Sequence, residues 1–290
     1  AQSMGAAAVA AIAPRGARAE VPDRSADAPA SPVAIQRCAS YEPQLLRQQL
    51  DTALDAIGGI GKLVSNKTVT VKLNLTGQMR DMHGLRAWDT YQNHPNMTAA
   101  LCAALHDAGA NRIVLVEALY YKEGVEEVLI SGGWDLNMIK AAGGHKVSFV
   151  NTKNLSGFKS YARMKVSHGG FMFPAFDLNR HYEDTDVFIS LGKMKDHETA
   201  GVTMSVKNLF GITPTALYGN DAPNEDTTMA RGAILHTADR VVPEGVPGEL
   251  DAVRVMETGK RVPRITADCL GARPVDLALI EGINTIKGGE

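Results

Sequence analysis

The 290-residue chain has no excess of charge of either sign and no long apolar run. It contains 30 Lys and Arg against 32 Asp and Glu, so its formal net charge is −2. A near-neutral chain offers no broad basic surface, and we therefore expect no nucleic-acid partner and no basic membrane-binding surface. Because no run of 18 apolar residues follows the N-terminus, we expect no membrane span. The composition, 44% hydrophobic and 21% charged, is that of an ordinary globular protein with a sizeable core.

The common signatures of nucleotide-binding and hydrolytic proteins are also missing. The sequence contains no G-x-x-x-x-G-K-[ST], no G-x-G-x-x-G after a strand, no G-x-S-x-G and no H-E-x-x-H. Its three cysteines, Cys38, Cys102 and Cys269, are far apart and show no C-x-x-C spacing. A cysteine motif for zinc or an iron–sulfur cluster is thus absent from the sequence, and no cofactor is identified. We expect the cysteines to be small buried hydrophobic side chains.

The N-terminal residues have the pattern of an export signal. Residues 4–13 are small and apolar, and the A-R-A sequence at 17–19 fits a cleavage site before Glu20. The Ala- and Gly-rich core is similar to that of twin-arginine signals, although no arginine pair is present; an unstructured Ala-rich N-terminus is the alternative. We predict a periplasmic protein exported by a twin-arginine route, with 1–19 as the signal remnant and the Pro-, Ala- and Ser-rich residues 20–33 as a linker.

The rest of the chain alternates between strand-like and helical patterns. Apolar strands are predicted within 67–75, 112–118, 145–151, 186–191 and 275–283, with helices at 42–61, 96–110 and 124–142. This alternation predicts an α/β fold with a mostly parallel sheet and helices on both faces. We expect an antiparallel or irregular insertion at 152–185, and loops with one helix at 212–268. Residues 34–290 are predicted to form a single α/β domain whose C-terminal part is missing, since the final residues have the pattern of a loop interior.

Basic residues follow two of the predicted strands. Lys72 and Asn74 end the first strand, and the alternation of a strand places both on one face. Ligands of open parallel sheets bind beyond the carboxyl ends of strands, so these two residues are candidate ligand contacts. A solvent-facing strand edge is the alternative explanation.

Lys193, Lys195 and His197 alternate directly after the strand at 186–191. Two ammonium groups and an imidazole that project the same way would bind a phosphate or a carboxylate. Gly192 would let such a ligand approach the backbone. His197, flanked by carboxylates, is also a candidate base or metal ligand, and a polar loop is the simplest alternative for the whole segment.

Residues 201–211 predict a helix that is apolar nearly all round and therefore buried. Thr203 and Lys207 are four residues apart and would share a face of it. A lysine held there has a lowered pKa or needs a fixed anion. His94, just ahead of a predicted helix, and His236 are weaker candidates that, taken alone, we expect to be structural or on the surface.

Four stretches carry a family resemblance: VKLN at 71–74, AGANRIVLVE at 108–117, KDHETAGVTMSVKNLFG at 195–211 and DLALIEGI at 276–283. Through them the chain resembles the family catalogued as domain of unknown function 362, over roughly residues 65–290. Some relatives in that family carry ferredoxin-like cysteine clusters, and the family more often has Asp where this chain has Glu281. The resemblance implies that family motif positions are occupied by Lys72, Asn74, Lys195, His197, Thr203, Lys207 and Asn208.

Three functions agree with these observations. The first is an enzyme acting on a small anionic substrate, with His197, Lys207 or Lys195 as acid or base and a ligand site built from Lys72, Asn74, Lys193, Thr203, Asn208 and His94. The second is a redox or metal-dependent protein whose iron–sulfur cluster or metal is supplied by a missing part or a partner. The third is a non-catalytic anion-binding module. No oligomeric state is predicted.

Overall fold

The computed structural model of the chain describes residues 31–76, 79–250 and 256–287. Its strands are β1 (Thr68–Lys72), β2 (Arg112–Glu117), β3 (Val147–Asn151), β4 (Ala162–Lys165), β5 (Ala175–Leu178), β6 (Val187–Lys193), β7 (Lys195–His197), β8 (Gly201–Thr203) and β9 (Leu277–Glu281). Its helices are α1 (Pro43–Ala56), α2 (Gly61–Val64), α3 (Ala87–Thr90), α4 (Pro95–Asp107), α5 (Val125–Ser131), α6 (Leu136–Ala142), α7 (Ser205–Asn208), α8 (Thr215–Tyr218) and α9 (Thr258–Ala272). The predicted export signal and most of the predicted linker lie outside the described residues.

The central sheet, within the ranges just given, has five parallel strands in the order β3-β2-β1-β6-β9. From β1 the chain moves outward through β2 to β3, and it later forms β6 and β9 on the other side of β1. The direction of strand addition therefore reverses between β1 and β6. In open α/β sheets, the crevice beyond the carboxyl ends of strands at such a reversal is the usual ligand site.

Alternate residues of the strands enter two separate hydrophobic cores. Val71 of β1 packs in one core with Leu50 of α1, whereas Val114 of β2 and Phe188 of β6 pack in the other with Ile265 of α9. A strand buried on both faces must be apolar at nearly every position, which explains the continuous apolar runs in the sequence. The predicted α/β fold, a mostly parallel sheet covered on both faces, is confirmed.

Two antiparallel pairs accompany the sheet in the described part of the chain. The β4–β5 pair lies within 152–185, where the sequence predicted an antiparallel insertion, and it packs against α9. The β7–β8 pair places Lys195 opposite Thr203 and His197 opposite Gly201. In the described part of 212–268, α9 is the one long helix, as predicted, but α8 and a π-helical turn at Gly232–His236 add two short helical segments among the loops.

Two predicted helices are broken in the structure. The helix predicted at 124–142 is divided into α5 and α6 by Gly132 and Gly133, and Gly133 has a φ of 91°, which ends a right-handed helix. The helix predicted at 201–211 instead consists of β8, the single turn α7 and a 3-10 turn at Leu209–Ile212. Pairing of β8 with β7, a contact between segments, overrides the local helical pattern.

The sequence predicted that the cysteines are buried and that no segment spans a membrane. Cys102 and Cys269 are buried, as predicted, whereas Cys38 is only partly buried. No helix among the residues that the structure describes combines the length and the apolar character that crossing a membrane requires.

Candidate functional site

A cavity of about 370 Å³ lies at the carboxyl end of β1, beside the reversal in strand order. Its wall comes from the ends of β1 and β2, the β7–β8 pair, α7 and the π-helical turn. This volume is in the range of small-molecule sites. The ionisable groups in its wall include Lys72, Glu117, His197, Glu198, Lys207, Arg231 and His236.

Lys72, the last residue of β1, forms an ion pair with Glu117, the last residue of β2. Its Nζ lies 2.5 Å from Oε1 of Glu117 and donates to the carbonyl of Leu73 at 2.7 Å. Both side chains are buried, and burial lowers the pKa of Lys72 while the carboxylate of Glu117 opposes that shift. The charge of Lys72 is therefore compensated within the cavity wall.

Asn208, at the end of α7, links β1 to β6 beside the cavity. Its Nδ2 donates to Oγ of Ser190 at 3.1 Å and to the carbonyl of Leu191 at 3.2 Å. Its Oδ1 accepts from Nδ2 of Asn74 at 3.1 Å and from Nζ of Lys72 at 3.3 Å. The side chain of Asn208 thus holds α7 against the two strands between which the order reverses.

Two buried oxygen atoms in the cavity wall have no hydrogen-bond partner among the described residues. They are Oδ1 of Asn74 and Oγ1 of Thr203, whose residues are only 4% and 3% exposed. An unpaired buried polar atom costs about 1–3 kcal/mol, so both atoms are places where a ligand would add a hydrogen bond. The sequence predicted both residues as ligand contacts, and the structure places both at the cavity.

Gly192 of β6 permits close approach by the protein's own backbone. A Cβ added there would lie 3.0 Å from backbone atoms of Met204 and Ser205. We expected this glycine to admit a ligand, but the structure shows that it admits the beginning of α7. Because Lys207 belongs to α7, the close packing of α7 on Gly192 determines how near Lys207 lies to the cavity.

Lys207 contributes an ammonium group that lies 4.3 Å from the centre of the Phe210 ring. In the part of the chain that the structure describes, no hydrogen bond or ion pair to this group is present. Burial lowers the pKa of Lys207 to about 7, and the positive charges of Lys195 and Arg231 act in the same direction. The sequence led us to expect a lowered pKa from a helix that is buried all round. The cause is different, because Val206 of the same turn is 45% exposed and Lys207 is only partly buried, against the cavity wall.

His197 closes one side of the cavity from the end of β7. Its Nδ1 accepts hydrogen bonds from the backbone N–H groups of Thr199 and Ala200, each at 3.2 Å. Burial lowers its pKa to about 4, and the charge of Lys207 contributes. The ring is therefore neutral at neutral pH. Within the described ranges, no group of three His, Cys, Asp or Glu side chains is arranged to hold a metal ion.

Arg231 and His236 reach the cavity from residues 212–268, for which the sequence predicted loops with one helix. Arg231 is 4% exposed, and its Nε donates to the carbonyl of Thr213 at 2.8 Å. Burial lowers the pKa of His236 to about 4, and its ring meets the Phe210 ring edge-on with centroids 4.9 Å apart. We had expected His236 to be structural or on the surface. The sequence does show a basic residue and a histidine in one apolar run, ARGAILH. It could not show that this run lines the same cavity as the end of β1, because the two segments are far apart in the chain.

Lys193 and His94 are not brought to the cavity. Lys193 lies at the carboxyl end of β6, as predicted, but Gly192 before it faces α7, so Lys193 points to the opposite face of the sheet. There its Nζ donates to the Tyr41 hydroxyl at 2.9 Å and lies 3.8 Å from the carboxylate of Glu281. The His94 ring stacks on Tyr41 at 3.9 Å, and its Nδ1 caps α4. The interruption of the strand at Met194, between β6 and β7, thus separates Lys193 from Lys195 and His197.

Lys195 lies behind the wall of the cavity, in contact with Thr76, and does not itself line it. Its Nζ donates to Oγ1 of Thr76 at 2.8 Å and lies 5.3 Å from the centre of the Tyr91 ring. Although its side chain is buried, its charge contributes to the lowered pKa values of both Lys207 and His197. Lys195 therefore acts on the cavity through its electrostatic field.

The fold and the cavity define an α/β protein whose crevice, at the reversal of strand order, is lined by lysine, arginine and histidine. The chain belongs to the family described as "Domain of unknown function (DUF362)", whose model matches residues 69–290, and this confirms the family predicted from the sequence. It is 26% identical over 216 residues to a thylakoid-associated protein of Synechocystis sp., an alignment that covers 73% of this chain and 60% of that protein.

A crystal structure of a protein from Thermotoga maritima is also similar, with a TM-score of 0.38 and 13% sequence identity. That match covers 83% of this chain and 61% of the Thermotoga chain. The present chain thus spans about 60% of the length of the curated relative and a similar share of the structural one.

Proposed function

We propose that this protein is an enzyme that holds a small anionic substrate in the cavity and uses Lys207 to transfer a proton. The observation that carries the proposal is the ammonium group of Lys207, which borders the cavity and has no hydrogen-bond or ion-pair partner among the described residues. A partly buried cation without a partner is costly, and a bound anion would stabilise it.

The charges around Lys207 favour an anion over a cation. Of the two carboxylates in the wall, Glu117 is paired with Lys72 and Glu198 is exposed to solvent. The charge of Lys207 helps to lower the pKa values of both His197 and His236, so the basic groups oppose one another's protonation. A phosphate or carboxylate group would relieve this repulsion, and its binding would be stabilised in turn.

The pKa of Lys207, lowered to about 7, suits acid–base chemistry at neutral pH. A group that titrates near the working pH is present in both protonation states and exchanges protons with a substrate efficiently. His197 is the further acid–base candidate in the wall, and Lys195, in contact with Thr76 behind the wall, is a candidate through its charge.

The experiment is a calorimetric titration, at neutral pH and low salt, with phosphate, sulfate and small mono- and dicarboxylates. We expect at least one anion to bind and Lys207→Met to weaken it tenfold or more, because a charge-assisted contact contributes about 1.5–3 kcal/mol. Lys62→Met, at an exposed position in α2, is the matched control and should bind normally.

Failure of every anion to bind, or unchanged affinity in Lys207→Met, would refute the proposal. An anion that binds without being converted, as followed by NMR of the ligand over hours, would indicate a binding module in place of an enzyme.

We also propose that the mature protein begins at Glu20 outside the cytoplasm. The apolar stretch at 4–13 and the A-R-A sequence at 17–19 support this location. N-terminal sequencing of the native protein tests it. A cytoplasmic protein that retains residues 1–19 would contradict it.

A further inference from the structure

Backbone contacts hold the two imidazole rings of the cavity in different tautomers. Nδ1 of His197 faces the backbone N–H groups of Thr199 and Ala200, which can only donate. Nδ1 of His197 must therefore be unprotonated, and in the neutral ring the proton lies on Nε2. His197 presents an N–H donor through Nε2.

His236 has the opposite arrangement. Its Nδ1 lies 3.3 Å from the carbonyl oxygen of Arg231, which can only accept. The proton of the neutral ring is thus on Nδ1, and Nε2 carries a lone pair. No partner for Nε2 of either ring is found among the residues that the structure describes, and both rings line the cavity.

The groups around both rings keep them neutral. Lys207 and Lys195 act on His197, while Lys207, Arg231 and Arg261 act on His236, and each of these positive charges opposes a further proton on the ring. Glu117, the buried carboxylate in the wall, is tied to Lys72. The tautomers fixed by the backbone are therefore the forms that a ligand meets.

We propose that His236 and His197 form an acceptor–donor pair that selects a small anion carrying a hydroxyl group. Nε2 of His236 accepts the hydroxyl hydrogen, and Nε2–H of His197 donates to another oxygen of the same ligand. This inference rests on the proposed function, because it adds a second recognition element to the same anion site.

Hydrogen phosphate and sulfate provide a direct test. At about pH 8, hydrogen phosphate and sulfate are both mainly dianions of similar size, but only hydrogen phosphate keeps an O–H. We expect the protein to bind phosphate about tenfold more tightly than sulfate, which corresponds to about 1.4 kcal/mol. His236→Leu should remove this preference, whereas His197→Leu should weaken both anions and keep it.

The tautomers themselves are measurable in the protein without ligand. Imidazole nitrogen shifts from protein labelled with ¹⁵N-histidine distinguish a ring protonated at Nδ1 from one protonated at Nε2, and the two Leu variants assign the signals. We expect Nδ1–H for His236 and Nε2–H for His197. The tautomers are measured on the wild-type protein, and the variants serve only to assign the two signals.

The outcomes separate this inference from the proposed function. If sulfate binds as tightly as phosphate, or if the two rings share one tautomer or have the reverse ones, the acceptor–donor pair is wrong while the anion site stands. If neither phosphate nor sulfate binds but a carboxylate does, the anion site stands and the pair fails. If no anion binds, both fail.

Discussion

Replacing Lys207 with methionine should stabilise the fold at neutral pH while it weakens ligand binding. Burial lowers the pKa of this lysine from 10.5 to about 7, whereas the unfolded chain leaves it at its ordinary value. Each pH unit between those two values corresponds to about 1.36 kcal/mol. The protonated lysine therefore destabilises the native state by at most about 5 kcal/mol, and by less to the extent that water reaches the partly buried side chain.

The pH dependence of this effect has a definite sign. Below about pH 7, Lys207 is protonated in both states and the full destabilisation applies. Between about 7 and 10.5 the native state has released the proton and the unfolded state still holds it, so the free energy of unfolding rises with pH. Above that range the lysine is neutral in both states. Methionine is similar in length and carries no proton, so the variant lacks this contribution.

The measurement is urea unfolding of wild type, Lys207→Met and the control Lys62→Met at several values between about pH 6 and pH 10. We expect the free energy of unfolding of Lys207→Met to exceed that of wild type by about 1–4 kcal/mol at the acidic end, and the difference to shrink toward the alkaline end. Lys62→Met should follow wild type throughout. A variant less stable than wild type at pH 6, or a difference that does not change with pH, would refute the reasoning.

The remaining predictions concern other contacts of the cavity. Glu117→Gln should lower the free energy of unfolding by about 3–5 kcal/mol, because it leaves the charge of Lys72 buried and uncompensated. Urea unfolding measures this difference. A decrease of less than about 1 kcal/mol would contradict the importance of the ion pair. Gly192→Ala should lower the free energy of unfolding by about 1–3 kcal/mol and weaken anion binding, because its Cβ would push α7 outward. Calorimetry measures both the stability and the binding. Wild-type values would show that the close approach of α7 to Gly192 is unimportant. Phosphate binding at about pH 8 should be accompanied by proton uptake at Lys207, whose pKa an anion raises; titrations in two buffers of different ionisation enthalpy detect it, and equal heats would exclude it.

Local patterns were sufficient to predict the sheet and the residues at its strand ends. Strands buried on both faces are apolar throughout, so a lysine at the end of such a run, as at Lys72, stands out in the sequence. Alternation also placed Asn74 correctly with Lys72 at the cavity. The apolar character of a strand and the alternation of its side chains both depend only on residues a few positions apart in the sequence.

Local patterns were less informative about residues 201–211. The apolar spacing there is helical, but the backbone of β8 pairs with β7, and only one turn of α-helix remains in α7. A hydrogen-bonded ladder between segments outweighs an intrinsic propensity that amounts to less than about 1 kcal/mol per residue. The position of Lys207 at the cavity edge follows from that pairing.

The sequence by itself determined the family, the parallel α/β sheet and the presence of basic residues after two strands, because periodicity and motifs are properties of short segments. Only the tertiary structure decided which basic residues share a cavity. Lys193 is directed to the opposite face by the register of β6, while Arg231 and His236 arrive from a distant segment that packs over the end of β1. The direction of a side chain depends on the face its strand buries and on the segments packed against it, and neither is a property of the local sequence.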